Sequence, residues 1–151
     1  VLPDADFMND LPWDGGCSDL VLYAMRTDGT LEVKLWISGV CEAAHEAGET
    51  INLDYTLPHA DVNLNLRMGT NVSDATCDDV LEAPMDVVHE FAASAGTVTI
   101  AATPDGEPQP WSTPAVVTVT LSNIEFQDSN QCTTTVSSYT WTNVTVGWFP
   151  G

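Results

Sequence analysis

Apolar and polar residues alternate with a period of two along most of the chain after Cys17. Leu31, Val33, Leu35 and Ile37 stand between Glu32, Lys34, Trp36 and Ser38, the pattern of a strand with one face in a core and the other in water. Asp19 to Met25 is a second strand candidate, joined to the first through Thr27-Asp28-Gly29, and Asp-Gly is a strong hairpin turn. Ile51, Leu53, Tyr55 and Leu57 alternate with Asn52, Asp54 and Thr56, and Val62, Leu64, Leu66 and Met68 alternate with Asn63, Asn65 and Arg67. Pro58-His59-Ala60-Asp61 lies between these runs and predicts a second hairpin.

Later segments are longer and less regular. Met85 to Ala93 and Thr97 to Ala102 read as two strands joined by Ser94-Ala95-Gly96, followed by a proline-rich loop from Pro104 to Pro114. In Val116 to Phe126 the apolar face changes partway: Val117, Val119 and Leu121 share one parity, Ile124 and Phe126 the other. A bulge near Ser122-Asn123 keeps both groups inward. The last strand, about Thr135 to Phe149, shows a similar change. Only residues 41–47 are rich in helix formers, with Gly48 placed to end a turn or two of helix. The expected fold is all-β: an antiparallel β-sandwich of about eight strands with one short helix near 41–47, a barrel being the alternative.

Residues 1–16 lack sustained periodicity and contain two prolines and a Gly pair, which predicts an extended leader or tether ahead of a single domain spanning 17–151. The leader is dotted with apolar residues. Phe7, Met8, Leu11 and Trp13 are candidates for assembly, adding to a neighbouring subunit as a donated strand. The chain begins at Val1, so removal of a preceding segment such as a signal peptide is an expectation.

With 151 residues, 44% of them hydrophobic, a single domain has ample material for a core. No apolar run approaches the roughly 20 residues of a membrane-spanning helix. Four cysteines without C-x-x-C spacing point to two disulfides, hence to an exported protein at the cell surface, outside the cell or in a periplasm. Three pairings are open, with four reduced thiols as the alternative. Cys17 with Cys77 and Cys41 with Cys132 is the preferred set, each closing a loop of more than 50 residues.

Charge narrows the partners. Three basic residues (Arg26, Lys34, Arg67) face 22 acidic ones, for a net charge of −19. Such a surface repels nucleic-acid phosphates and anionic membranes, and it favours saline or calcium-containing surroundings that screen self-repulsion. The clusters Asp4-Asp6-Asp10-Asp14 and Asp74-Asp78-Asp79 are the candidate calcium ligands, because calcium takes six to eight oxygens and loops can gather them. Solvated acidic loops are the competing reading.

Catalytic signatures are absent: there is no G-x-S-x-G elbow, P-loop or H-E-x-x-H. A metal site can be drawn from Cys41, His45 and Glu49 at helical spacing, though a solvated His45 is the simpler reading. His59 is expected in water and His89 at the core edge. Asn71 and Asn143 open N-glycosylation patterns. Among the five tryptophans, Trp36 points away from its strand's apolar face and Trp111 lies in the proline-rich loop, so both are candidate platforms for sugar rings. The expectation is a non-enzymatic extracellular structural or interaction protein, such as a subunit of a surface layer or filament, partnered by itself or another surface protein. A calcium-supported carbohydrate-binding module is the second reading, and a hydrolase with paired carboxylates a distant third.

Overall fold

The computed structural model describes residues 2–78 and 83–149. Among the described residues, eight antiparallel strands and one α-helix follow a short 3-10 helix, Phe7–Asp10. The elements are β1 (Trp13–Cys17), β2 (Val21–Met25), β3 (Leu31–Trp36), α1 (Val40–Ala47), β4 (Ile51–Leu57), β5 (Asn63–Thr70), β6 (Asp86–Pro104), β7 (Ala115–Gln127) and β8 (Thr133–Val146). The all-β expectation holds, as do the short helix and its stop at Gly48, which takes the left-handed conformation and donates to the Ala44 and His45 carbonyls.

The sheet runs β1-β2-β3-β5-β6-β7-β8, with β4 also paired to β6. β2 and β3 form the first predicted hairpin, Val21 opposite Trp36 and Met25 opposite Glu32. The second does not form. β4 pairs with β6 from Ile51↔Ala102 to Leu57↔Gly96, and β5 pairs with it from Asn65↔Ala92 to Thr70↔Asp86. Both are antiparallel to the same strand, so they run in the same direction, in line along one edge of β6. The Pro58–Asp61 turn interrupts this line without reversing it.

β6 is correspondingly one strand of 19 residues where two were expected. Ser94-Ala95-Gly96 is a bend with register shifts on both sides of Ala95, and Gly96 takes φ +118°. A Cβ there would lie 2.7 Å from the Asn123 carbonyl oxygen, so only glycine lets the two backbones approach this closely. Asn123 itself has φ 52°, and the buried positions of β7 change parity across it, as the pattern predicts. Asn143 does the same for β8 with φ 51°. Asparagine tolerates this region because its short polar side chain bonds locally.

The first sixteen residues, expected as a tether, belong to the body. Phe7, Met8 and Leu11 are buried in the core, Phe7 packs its ring 6.4 Å from that of Phe126, and β1 pairs with β2 from Trp13↔Met25 to Cys17↔Val21. The segment then brings β8 round to nearly close the sheet. Asp6 N donates to Thr135 O (2.8 Å) and Ser18 N to Trp148 O (2.7 Å). Tyr139 Oη donates to Asp14 (2.9 Å), and the buried Trp141 donates its Nε1 proton to Tyr23 O (2.9 Å). The Gly15-Gly16 pair serves close packing: a Cβ on Gly16 would meet Leu22 Cδ2 at 2.6 Å and Val144 Cγ1 at 3.0 Å.

Cys17 and Cys77 form the expected disulfide. Cys41 and Cys132 do not pair: Cys41 is buried on the inner face of α1 and Cys132 is exposed in the turn between β7 and β8. A helix that turns its apolar face inward carries Cys41 into the core, out of reach of a surface thiol. Burial, then the neighbouring Asp19 carboxylate, push the Cys41 thiol up to about 12.

Candidate functional site

Strand alternation sorts the residues of β2, β3 and β5 into two sets. Leu31, Val33 and Leu35 turn into the core with Leu64 and Leu66. Their neighbours Glu32, Lys34 and Trp36 turn outward, and the register sets them opposite Arg67, Asn65 and Asn63 of β5. Arg67 in turn faces Glu90 of β6. The outer face of the sheet therefore carries an ordered array: Trp36 beside Asn63, Lys34 beside Asn65, and Glu32 beside Arg67 and Glu90.

One corner of this array is covered. The loop 71–78 folds over Glu32, which is fully buried. Arg67 Nη1 donates to Glu32 Oε1 (2.9 Å) and to Val72 O (3.0 Å), and Thr76 Oγ1 donates to Glu32 Oε2 (2.7 Å). Cys77, next in sequence, carries the disulfide. The buried ion pair and the bridge thus clamp the same loop at adjacent residues.

The rest of the array is open. Lys34, Trp36, Asn63, Asn65, Arg67 and Glu90 line a groove of about 230 Å³, and Trp36 is 49% exposed. Asn63 and Asn65 also border a second hollow of about 190 Å³, whose lining includes Pro58 and His59 of the β4–β5 turn. There His59 is exposed, as expected, with its ring edge-on to Tyr55 at 5.0 Å. An indole held at the end of a strand, flanked by two planar amides and an ammonium, suits a ring-shaped ligand with an apolar face and a polar rim.

The other candidates are dispersed. Asp74 and Asp78 line a cleft of about 370 Å³ with Asp28, and Asp74 accepts from Ala83 N (3.1 Å). Asp79 lies outside the described residues. Hydrogen bonds from Thr30 hold the Asp28 carboxyl below its usual range. Asp6 accepts from Ser137 N (2.6 Å) and so anchors the N-terminal segment to β8, while Asp4 and Asp10 border a hollow shared with Arg26. Among the described residues no three His, Cys, Asp or Glu side chains gather closely enough to hold a metal ion.

His45, expected in solvent, is half-buried with Nε2 2.6 Å from Pro114 O, which ties α1 to the proline-rich loop. His89 is exposed and stacks on Phe91 at 5.8 Å. Asn71 donates its side-chain amide to Pro84 O (2.9 Å), and Asn143 sits exposed on β8. Trp111 is 68% exposed in the proline-rich loop. Ser112 Oγ donates to Gly147 O (2.9 Å), which ties the loop to the chain just ahead of the exposed Trp148 and Phe149. Of the four assembly candidates, Trp13 alone is exposed.

No protein-family model, no curated protein and no solved structure matches the chain.

Proposed function

We propose that this chain is a non-enzymatic interaction domain of the extracellular face or the periplasm, and that its ligand is carbohydrate held in the Trp36 groove. The observation that carries this reading is the juxtaposition of a half-exposed Trp36 with Asn63, Asn65 and Lys34 on paired strands. Sugar rings present C–H faces that stack on indole, and hydroxyls that exchange paired hydrogen bonds with amides. Strands, unlike loops, present such groups from a backbone that is already ordered, which lowers the ordering cost of binding. The Cys17–Cys77 bridge supports an oxidising compartment. Assembly through the first sixteen residues has less support, because Phe7, Met8 and Leu11 serve this domain's own core.

A glycan array on the full chain, run with and without a calcium chelator, tests the reading. Binding to at least one glycan class is expected, with a loss of at least about tenfold in affinity for Trp36→Ala, or about 1.4 kcal/mol. The chelated arm asks whether calcium supports binding. Silence of the array under both conditions removes the proposal.

A further inference from the structure

The same groove has a charge pattern that the rest of the molecule lacks. Two of the chain's three basic residues, Lys34 and Arg67, project into it from paired strands. Arg67 is committed: it holds Glu32 at 2.9 Å, and its Nε lies 3.8 Å from Glu90 Oε1. Both nearby carboxylates are therefore drawn toward the guanidinium. Lys34 lies opposite Tyr23 on one side and Asn65 on the other, and among the described residues it forms no ion pair. Burial, followed by the charges of Asp14 and Glu32, holds the Tyr23 phenol protonated above its ordinary range, so this neighbour brings no negative charge.

Lys34 and Arg67 balance Glu32 and Glu90, leaving the groove formally neutral on a molecule of net charge −19. An anion meets less local repulsion here than over the acidic surface, and it finds an ammonium that no carboxylate of the described residues holds in an ion pair. Lys34 and Trp36 are two positions apart on one strand face, about 7 Å between Cα atoms, within the reach of a lysine stem. A ring stacked on the indole can then place a carboxylate on Nζ while its hydroxyls meet Asn63 and Asn65.

Resting on the glycan reading above, we infer that the groove selects an acidic saccharide, a uronic-acid residue whose ring stacks on Trp36 and whose carboxylate is bound by the Lys34 ammonium.

The test is titration calorimetry of the full chain with oligomers of galacturonate and of mannuronate, each against its methyl-esterified form, which has the same backbone without the charge. The acid form of at least one oligomer is expected to bind about tenfold tighter than its ester, or about 1.4 kcal/mol, because the ester cannot form the charge-assisted hydrogen bond. In Lys34→Gln, shown to be folded by circular dichroism, the ratio of acid to ester affinity should fall toward one. Trp36→Ala should lose both forms. Equal binding of acid and ester by the native chain overturns the acidic selection and leaves the glycan reading standing, as does array binding confined to neutral glycans. An acid preference that survives Lys34→Gln overturns the role of Lys34. Failure of every glycan on the array and in the calorimeter overturns both.

Discussion

Glu32 shows how much a single side chain depends on what the chain brings over it. Alternation alone makes it a solvated residue on the wet face of a strand. In the folded protein it is fully buried, with its carboxylate shared between Arg67 and Thr76. A buried charge left without its partner is costly, whereas an apolar replacement of both partners can be nearly neutral. Glu32→Leu is therefore expected to destabilise the fold by about 3–5 kcal/mol in urea titrations, and Arg67→Met by a similar amount. The double variant Glu32→Leu/Arg67→Met should recover most of the loss. Additive losses in the double variant would show that the two side chains act independently. Nothing local marks this pair, because its ion-pairing partner lies 35 residues away and the covering loop is tied down by Cys17.

At the scale of elements, strand existence was legible and strand partnership was not. The parity change at Asn123 is written in the residues themselves, since Leu121 and Ile124 cannot both face a core without an extra residue between them. Ser94-Ala95-Gly96 is ambiguous by comparison: small residues serve a turn and a bend equally well. The decision falls to β7, which runs past the bend on one side of β6 while β4 and β5 line the other. Gly96→Ala tests the bend. With φ +118° and a backbone oxygen 2.7 Å from the new Cβ, it should cost roughly 2–4 kcal/mol, measured as a lowered denaturation midpoint at unchanged m-value. An unchanged midpoint would mean that the two strands can separate at no cost.

The molecule as a whole resists protonation changes at the alkaline end. Burial is the first cause raising the Tyr23, Tyr55 and Tyr139 phenols above their ordinary value, and Tyr139 is further held by its bond to Asp14. The Cys41 thiol is pushed up to about 12. These groups keep their protons more tightly folded than unfolded, so the unfolded chain loses protons first as pH rises. Their stabilising contribution is complete below the unfolded values, 9.0 for the thiol and 10.0 for the phenols. It is lost as pH climbs toward the folded ones. Urea midpoints should therefore fall from about pH 9 upward, with tyrosinate absorbance appearing together with unfolding. Three phenols titrating near their ordinary value in a chain still folded by circular dichroism would contradict this.

The sequence by itself determined an all-β chain, the β2–β3 hairpin, the brief helix ending at Gly48, the bulge near Asn123 and the outward-facing Trp36. Each depends on local periodicity or on a residue's own backbone preference, which neighbours within a few positions express. Tertiary structure alone decided that β4 and β5 lie in line along β6, that Phe7 and Met8 complete the core, that Cys41 stays a thiol and that Glu32 is buried. These outcomes depend on which distant surfaces meet, and apolar residues carry no mark of whose core they will fill. The groove shows both kinds of cause. Alternation put Trp36 and Lys34 on one face, and the β3–β5 register set Asn63, Asn65 and Arg67 beside them.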